Sequence, residues 1–161
     1  MSVALRSCPN DDPAFLRLVA QLDAFLAVTD GAEHGFYHQF NGPASLDYAC
    51  VLERDGEAVG CGGLRRKDHG DFEVKRMYVA EAARGRRLAV TLLRHLEDEA
   101  RRRGGRRTVL ETGLRQNAAV QLYEREGYAR IPNYPPYEGM ANSACFARAL
   151  APPFPREARL L

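Results

Sequence analysis

The sequence has no long apolar run. Nowhere does an uninterrupted apolar stretch approach the roughly 20 residues that a membrane-spanning helix needs, and Met1 to Cys8 contains none of signal-peptide length. The expected protein is soluble and cytoplasmic, without membrane contact. Cysteine is sparse: Cys8, Cys50, Cys61 and Cys145 stand far apart, which excludes both a Cys-x-x-Cys metal pattern and a dense secreted disulfide framework. They read as small buried hydrophobes, and Cys61, between Gly60 and Gly62, as a packing residue. His34, His38, His69 and His95 show no metal-ligand spacing, so no metal is expected. Internal repeats and coiled-coil heptads are missing too.

What is present suffices for one core. At 161 residues, 45% hydrophobic and 27% charged, the chain can bury one good core and is too short for two typical domains. One domain over residues 1–151 and a poorly ordered tail over 152–161 are expected. The net charge is only +2, but nine arginines lie between Arg84 and Arg107, which suits an anionic partner near that segment.

Along the chain, Val3 to Cys8 can make a first strand, and Asn10 or Asp11 can cap a helix with Pro13 in its first turn. Phe15, Leu18, Val19, Leu22, Phe25 and Leu26 then fall at helical spacing until Asp30-Gly31 stops the helix. The aromatic stretch from Ala32 to Asn41 reads as a short helix or a loop. Leu46 to Arg54 and Glu57 to Arg66 are strands joined by the strong two-residue turn Asp55-Gly56. After a second turn, Lys67 to Gly70, a third strand spans Asp71 to Val79. Alternation puts Phe72, Val74, Arg76 and Tyr78 on one face and Glu73, Lys75, Met77 and Val79 on the other. Neither face is clean, which suits a bulge. From Arg86 to Arg103 the period becomes helical, with Leu88, Leu92, Leu93, Leu96 and Ala100 on one side and arginines on the other, ended by Gly104-Gly105. A strand over Thr108 to Thr112, a helix over Gln116 to Glu126 and strands over Tyr128 to Ile131 and Ala144 to Leu150 complete the pattern.

The segment Phe72 to Ala89, FEVKRMYVAEAARGRRLA, resembles the acetyl-CoA motif of the GNAT acetyltransferase superfamily, a strand that leads through a short loop into a helix. The family signature is Arg/Gln-x-x-Gly-x-Gly/Ala; Arg84 and Ala89 hold its outer positions, and Arg87 stands where glycine is usual. A second block, LETGLRQNAAVQLYEREGY from Leu110 to Tyr128, is similar to the family's later strand-loop-helix segment. The resemblance implies an α/β (α+β) fold with a central twisted sheet, mixed and mostly antiparallel, flanked by helices. It also implies an N-acetyltransferase that moves an acetyl group from acetyl-CoA to a small-molecule amine, with self-association through the sheet into a homodimer common among members.

The residues say what chemistry such a protein needs. A helix N-terminus presents unpaired N–H groups and positive partial charge, so the turn Arg84, Gly85, Arg86, Arg87, Leu88, Ala89 suits a pyrophosphate. Its arginines can add charge-assisted bonds, or can belong with Arg101 to Arg107 to a solvated face. A protonated amine must lose a proton before it attacks a thioester. The resemblance nominates Glu73 as that base, acting directly or through water; its other reading is an exposed strand carboxylate paired with Lys75 or Arg66. Tyr123 matches the family's acid, with an ordinary tyrosine pKa of about 10 expected; otherwise it packs beside Leu122. The resemblance further implies that the backbone of Met77, Tyr78 and Val79 faces the acetyl carbonyl and that Asn117 holds the pantetheine arm, although Asn117 can equally be a helix cap. His34 to Asn41 and the Asn133 to Met140 turn, with Tyr134 and Tyr137, are expected to wall the acceptor cleft or to pack as a lid. Two other readings remain open: an acyl-CoA-binding GNAT-fold protein without catalysis, and an arginine-rich RNA-binding module. The second lacks interleaved aromatics for base stacking.

Overall fold

A computed structural model describes residues 2–31 and 46–152. Its centre is a seven-stranded sheet in the order β1-β2-β3-β4-β5-β7-β6. Strand β1 (Val3–Cys8) pairs antiparallel with β2 (Tyr48–Arg54), and β2 pairs with β3 (Glu57–Arg66). The turn between β2 and β3 uses Asp55 at φ 52° and Gly56 at φ 82°, the two positive values of a type I′ hairpin whose twist matches its strands. Strand β4 (Asp71–Val79) continues the antiparallel meander. Strand β5 (Arg107–Gly113) then joins β4 in parallel, and β7 (Ser143–Ala149) lies antiparallel between β5 and β6 (Ala129–Ile131). The sheet is mixed and mostly antiparallel, as the resemblance implied.

Both faces are covered, which is why β2 reads as a continuous apolar run. Helix α1 (Pro13–Asp30) buries Phe15, Leu18 and Val19 against Ala49, Val51 and Cys61. On the other face, α2 (Leu88–Arg102) packs Leu88, Leu92, Leu93, Leu96 and Ala100 onto Cys50, Leu52, Leu64, Phe72 and Val74. The short helix α3 (Asn117–Arg125) follows β5 and contributes Tyr123 to the same side. Full burial of a leucine side chain stabilises the fold by roughly 1.5–3 kcal/mol. No helix among the described residues is long and apolar enough to cross a membrane.

Three local expectations are corrected. Asp12, rather than Asn10 or Asp11, caps α1: its Oδ1 accepts from the amides of Ala14 at 3.0 Å and Phe15 at 3.1 Å, whereas Asn10 donates to the Leu46 carbonyl. Helix α2 begins at Leu88 instead of Arg86, because Gly85 and Arg87 both take positive φ and no helical turn can form through them. The faces of β4 exchange midway. Tyr78 opposes Cys61 and Lys75 opposes Gly63, so Arg76 and Met77 together face Gly62, two residues against one. Arg76 absorbs the extra residue at φ 59°. Beyond this bulge Met77 and Val79 join Phe72 and Val74 on the α2 side, and Tyr78 turns to the α1 side.

Candidate active site

The site is a consequence of two strands parting. Strands β4 and β5 are paired only at Asp71 with Arg107, Phe72 with Thr108 and Glu73 with Val109. Beyond Glu73 they diverge, and the bulge at Arg76 bends β4 further away. Two spaces open in the gap. A cleft of about 730 Å³ runs between the end of β4, the turn into α2 and the start of α3. A smaller chamber of about 120 Å³ lies deeper, between the diverging strands and the end of α1. Tyr123, Met77 and Ala119 line both.

The cleft collects most of the residues nominated for the cofactor. Met77, Tyr78 and Val79 enter it from β4; Arg84, Gly85, Arg87, Leu88 and Ala89 from the turn; and Asn117 from α3. Arg86 is the exception, being exposed and absent from the lining. Gly85 stands at φ 87° with open space where a Cβ would be, and Arg87 stands at φ 57° as the residue before α2. Left-handed backbone costs a non-glycine residue roughly 1–2 kcal/mol, which explains why the family signature has glycine where this chain has Arg87. No side chain caps α2, so the first amides of a fifteen-residue helix face the cleft with the positive end of the helix dipole behind them. A negatively charged phosphate suits that cradle. Asn117 is the first residue of α3 and does not cap it; Gln116 precedes the helix, again without a side-chain cap bond.

Arg84 has a backbone task in addition. Its Nε donates to the Val79 carbonyl at 2.9 Å, and its guanidinium lies 5.5 Å from the ring centres of Tyr78 and Phe25. It therefore ties the turn to the end of β4. Arg115 and Arg125 also line the cleft, two further cations that the motif did not include.

The chamber is built from ionisable side chains. Glu73 is only 3% exposed, so it is not the exposed strand carboxylate of its alternative reading. Tyr134 donates to its Oε2 at 2.8 Å, and Lys75 Nζ lies 3.9 Å from its Oε1. Arg66 stands elsewhere, over the Phe72 ring. Burial lowers the Lys75 pKa, opposed by the Glu73 charge. Across the gap, Glu111 on β5 is pushed up to about 7, chiefly by burial, with Asp30 and Glu73 adding to the rise and the Ser143 hydrogen bond opposing it. Tyr123 does not keep the ordinary pKa expected of it: burial raises it, and the neighbouring Glu111 adds to the rise. Its ring packs edge-on to Tyr128, 5.7 Å between centres, and beside Phe146. Tyr134 is raised far more strongly by burial and by the Glu73 carboxylate.

Of the nominated acceptor walls, Tyr137 lines the chamber and Tyr134 bonds Glu73; His34 to Asn41 fall outside the described residues. Glu111 went unnoticed in sequence. The available signal was an acid directly after the apolar pair Val109-Leu110, in the interior of a strand. The arginines near the end of α2 behave as a solvated face, Arg101 pairing with Asp98 and both Arg102 and Arg103 with Glu99. All four cysteines are free, and Cys61 is fully buried. No group of potential metal ligands occurs among the described residues.

Comparison with known proteins supplies a family. The family model described as the Acetyltransferase (GNAT) family matches residues 16–128. An IAA acetyltransferase of Azospirillum brasilense is 36% identical over 134 residues, covering 82% of this chain and 87% of that protein. Among solved structures, an acyl-CoA N-acyltransferase from Klebsiella pneumoniae superposes with a TM-score of 0.79 at 32% identity, covering 92% of this chain and 98% of that one. A GNAT family acetyltransferase from Elizabethkingia anophelis with acetyl-CoA bound shares the fold, with a TM-score of 0.67 at 18% identity over 92% of this chain and 98% of that one. With the parted strands, the uncapped helix and the matched sequence blocks all in agreement, the chain belongs to the GNAT acetyltransferase family.

Proposed function

We propose that the protein transfers an acetyl group from acetyl-CoA to the primary amine of a small molecule, by direct attack within one ternary complex. The observation that carries this reading is the position of Tyr123, in the wall shared by a cleft shaped for a coenzyme and a chamber of buried carboxylates. In this reading the coenzyme phosphates lie at the α2 N-terminus beside Arg84 and Arg87, and the pantetheine arm runs past Asn117. The thioester carbonyl reaches the backbone of Met77, Tyr78 and Val79 at the bulge. The acceptor enters the chamber as an ammonium beside Glu73 and loses its proton there, to that carboxylate directly or through water, or to a group next to it.

The bond changes follow. The freed amine nitrogen forms a bond to the thioester carbon, the carbonyl oxygen becomes an oxyanion, and the tetrahedral centre collapses with cleavage of the carbon–sulfur bond. Tyr123 gives its proton to the departing sulfur and regains one from the new amide nitrogen. A tyrosine whose pKa is raised by burial stays protonated through the neutral range, ready to donate. Because a coenzyme thiol is more acidic than this tyrosine, with a pKa near 8.5, proton transfer to sulfur is uphill by itself and is driven by the coupled return of a proton to the phenolate from the more acidic protonated nitrogen of the tetrahedral centre. No nucleophilic cysteine is needed, in keeping with the burial of Cys61.

A panel of primary amines, assayed for release of the coenzyme A thiol, tests the reading. Amine-dependent release with intersecting initial-rate lines supports it. Parallel lines would replace direct attack by an acetyl-enzyme, and binding of acetyl-CoA with no release from any amine would leave only a coenzyme-binding protein.

A further inference from the structure

Glu111 has no part in the scheme so far. It lies on β5 two residues past Val109, the last residue paired with β4, so it lines the gap that the parting strands leave. In a strand, residues two apart share a face, which places Glu111 on the side of Val109 and therefore of Glu73 and Lys75. The groups facing it come from four elements: Asp30 at the end of α1, Glu73, Lys75 and Arg76 on β4, Tyr123 on α3, and Ser143 and Cys145 on β7.

The two chamber glutamates differ in what their oxygens already do. Glu73 has a partner at each: Tyr134 donates to Oε2 at 2.8 Å, and the Lys75 ammonium lies 3.9 Å from Oε1, an ion pair without a hydrogen bond. The Oε2 of Glu111 is buried and has no hydrogen-bond partner among the described residues. A buried carboxylate oxygen without a donor is unfavourable, and this one borders a cavity that shares Tyr123 with the coenzyme cleft. The donor that satisfies it, of the right charge and able to pass on a proton, is an ammonium N–H.

We propose that Glu111 is the terminal proton acceptor of the reaction, taking an N–H of the acceptor's ammonium at Oε2 and then the proton itself, while Glu73 stays bonded to Tyr134 beside it. This rests on the acetyltransferase reading above and names the group on which the first proton comes to rest. The balance is complete. The ammonium loses one proton to Glu111, which becomes a neutral carboxylic acid and later releases it to water; the nitrogen's second proton replaces the one that Tyr123 gives to sulfur. The product is an amide, the coenzyme thiol and one proton.

Two properties fit this task. The raised pKa of about 7 places Glu111 where a general base works best near neutral pH, and the oxygens of Glu73 are already engaged by Tyr134 and by the nearby Lys75.

The test uses the full chain, an amine that supports turnover, and the variants Glu111→Gln, Glu111→Asp and Glu73→Gln. Wild-type kcat/KM for the amine should fall as pH drops below about 7. Glu111→Gln should lower it about 100-fold or more at pH 7.5 and abolish that ionisation, leaving a rate that climbs only with deprotonation of the amine in solution. Glu111→Asp should restore part of the rate together with a shifted ionisation, and Glu73→Gln should lower the rate while retaining the ionisation. The melting shift caused by acetyl-CoA, measured in each variant, confirms a folded coenzyme site. A Glu111→Gln enzyme with wild-type kcat/KM and pH profile overturns the proposal, as does loss of the ionisation in Glu73→Gln alone. Failure of wild-type protein to release thiol from any amine overturns the acetyltransferase reading itself, and this proposal with it.

Discussion

The proposed coenzyme cleft and the proposed acceptor chamber meet at Tyr123 but are made of different material. The cleft is largely main chain: an uncapped helix start, a turn with two positive φ residues, and the end of a bulged strand. The chamber is largely side chain, with Glu73, Lys75 and Glu111 brought together where the pairing of two strands ends. Backbone amides are aimed by the fold whatever residues carry them, so the cleft suits a ligand shared by a whole family. Side chains change one at a time, so in the proposed reaction the chamber is the part suited to choosing the acceptor.

That difference can be sharpened by substitution. Among substitutions of Glu73, Arg87 and Tyr134 the largest expected effect is in the chamber: Glu73→Gln should cut kcat by about 10²-fold with an almost unchanged KM for acetyl-CoA. Equal losses in both constants would mean that the chamber and cleft are one cooperative unit. In the cleft, Arg87→Ala should raise the KM for acetyl-CoA by about tenfold, as expected for one lost charge-assisted phosphate contact, with little change for the amine. Salt should weaken wild-type coenzyme binding and have less effect on the variant. An unchanged coenzyme KM would assign Arg87 to solvent.

A smaller effect separates the two regions by pH and stability. The folded state holds Glu111 at about 7 against an ordinary 4.5, so folding favours its protonated form. Its stabilising contribution is present below pH 4.5 and is lost as pH rises through 7. The loss has an upper bound of about 3 kcal/mol at about 1.36 kcal/mol per pKa unit. Glu111→Gln, neutral at every pH, should therefore melt several °C higher than wild type at pH 8 and nearly the same at pH 4.5. A variant that melts lower at pH 8 would show that the carboxylate is satisfied in the fold. Smallest is Tyr134→Phe, which removes one hydrogen bond to a charged group; about 1.5–3 kcal/mol should appear mostly as lost stability, with kcat falling severalfold.

The comparison also explains what could be read from sequence. Local devices were legible: the Asp55-Gly56 hairpin, the strands Val3–Cys8, Glu57–Arg66 and Asp71–Val79, and the turn from Arg84 to Ala89 all announce themselves within a few residues. The family followed from two such blocks. The bulge was visible only as a pattern with no clean face; its position at Arg76 depends on how β3 registers with β4. The cap of α1 was missed by one residue because Asn10, Asp11 and Asp12 are all good cap types. Glu111 was missed because its surroundings are set by β7 lying beside β5 and by β4 leaving it, and neither is local in sequence. The bond from Tyr134 to Glu73 spans 61 residues and has the same origin.

Tyr123 carries the central claim, that one hydroxyl serves both spaces. Its direct test compares thiol release by wild type and Tyr123→Phe, using an accepted amine at saturating acetyl-CoA, with the coenzyme-induced melting shift recorded for both. Removing the hydroxyl alone should slow release by roughly 10²–10⁴-fold while the melting shift stays as in wild type. Release at the wild-type rate would contradict the account and return Tyr123 to a packing role beside Tyr128 and Phe146.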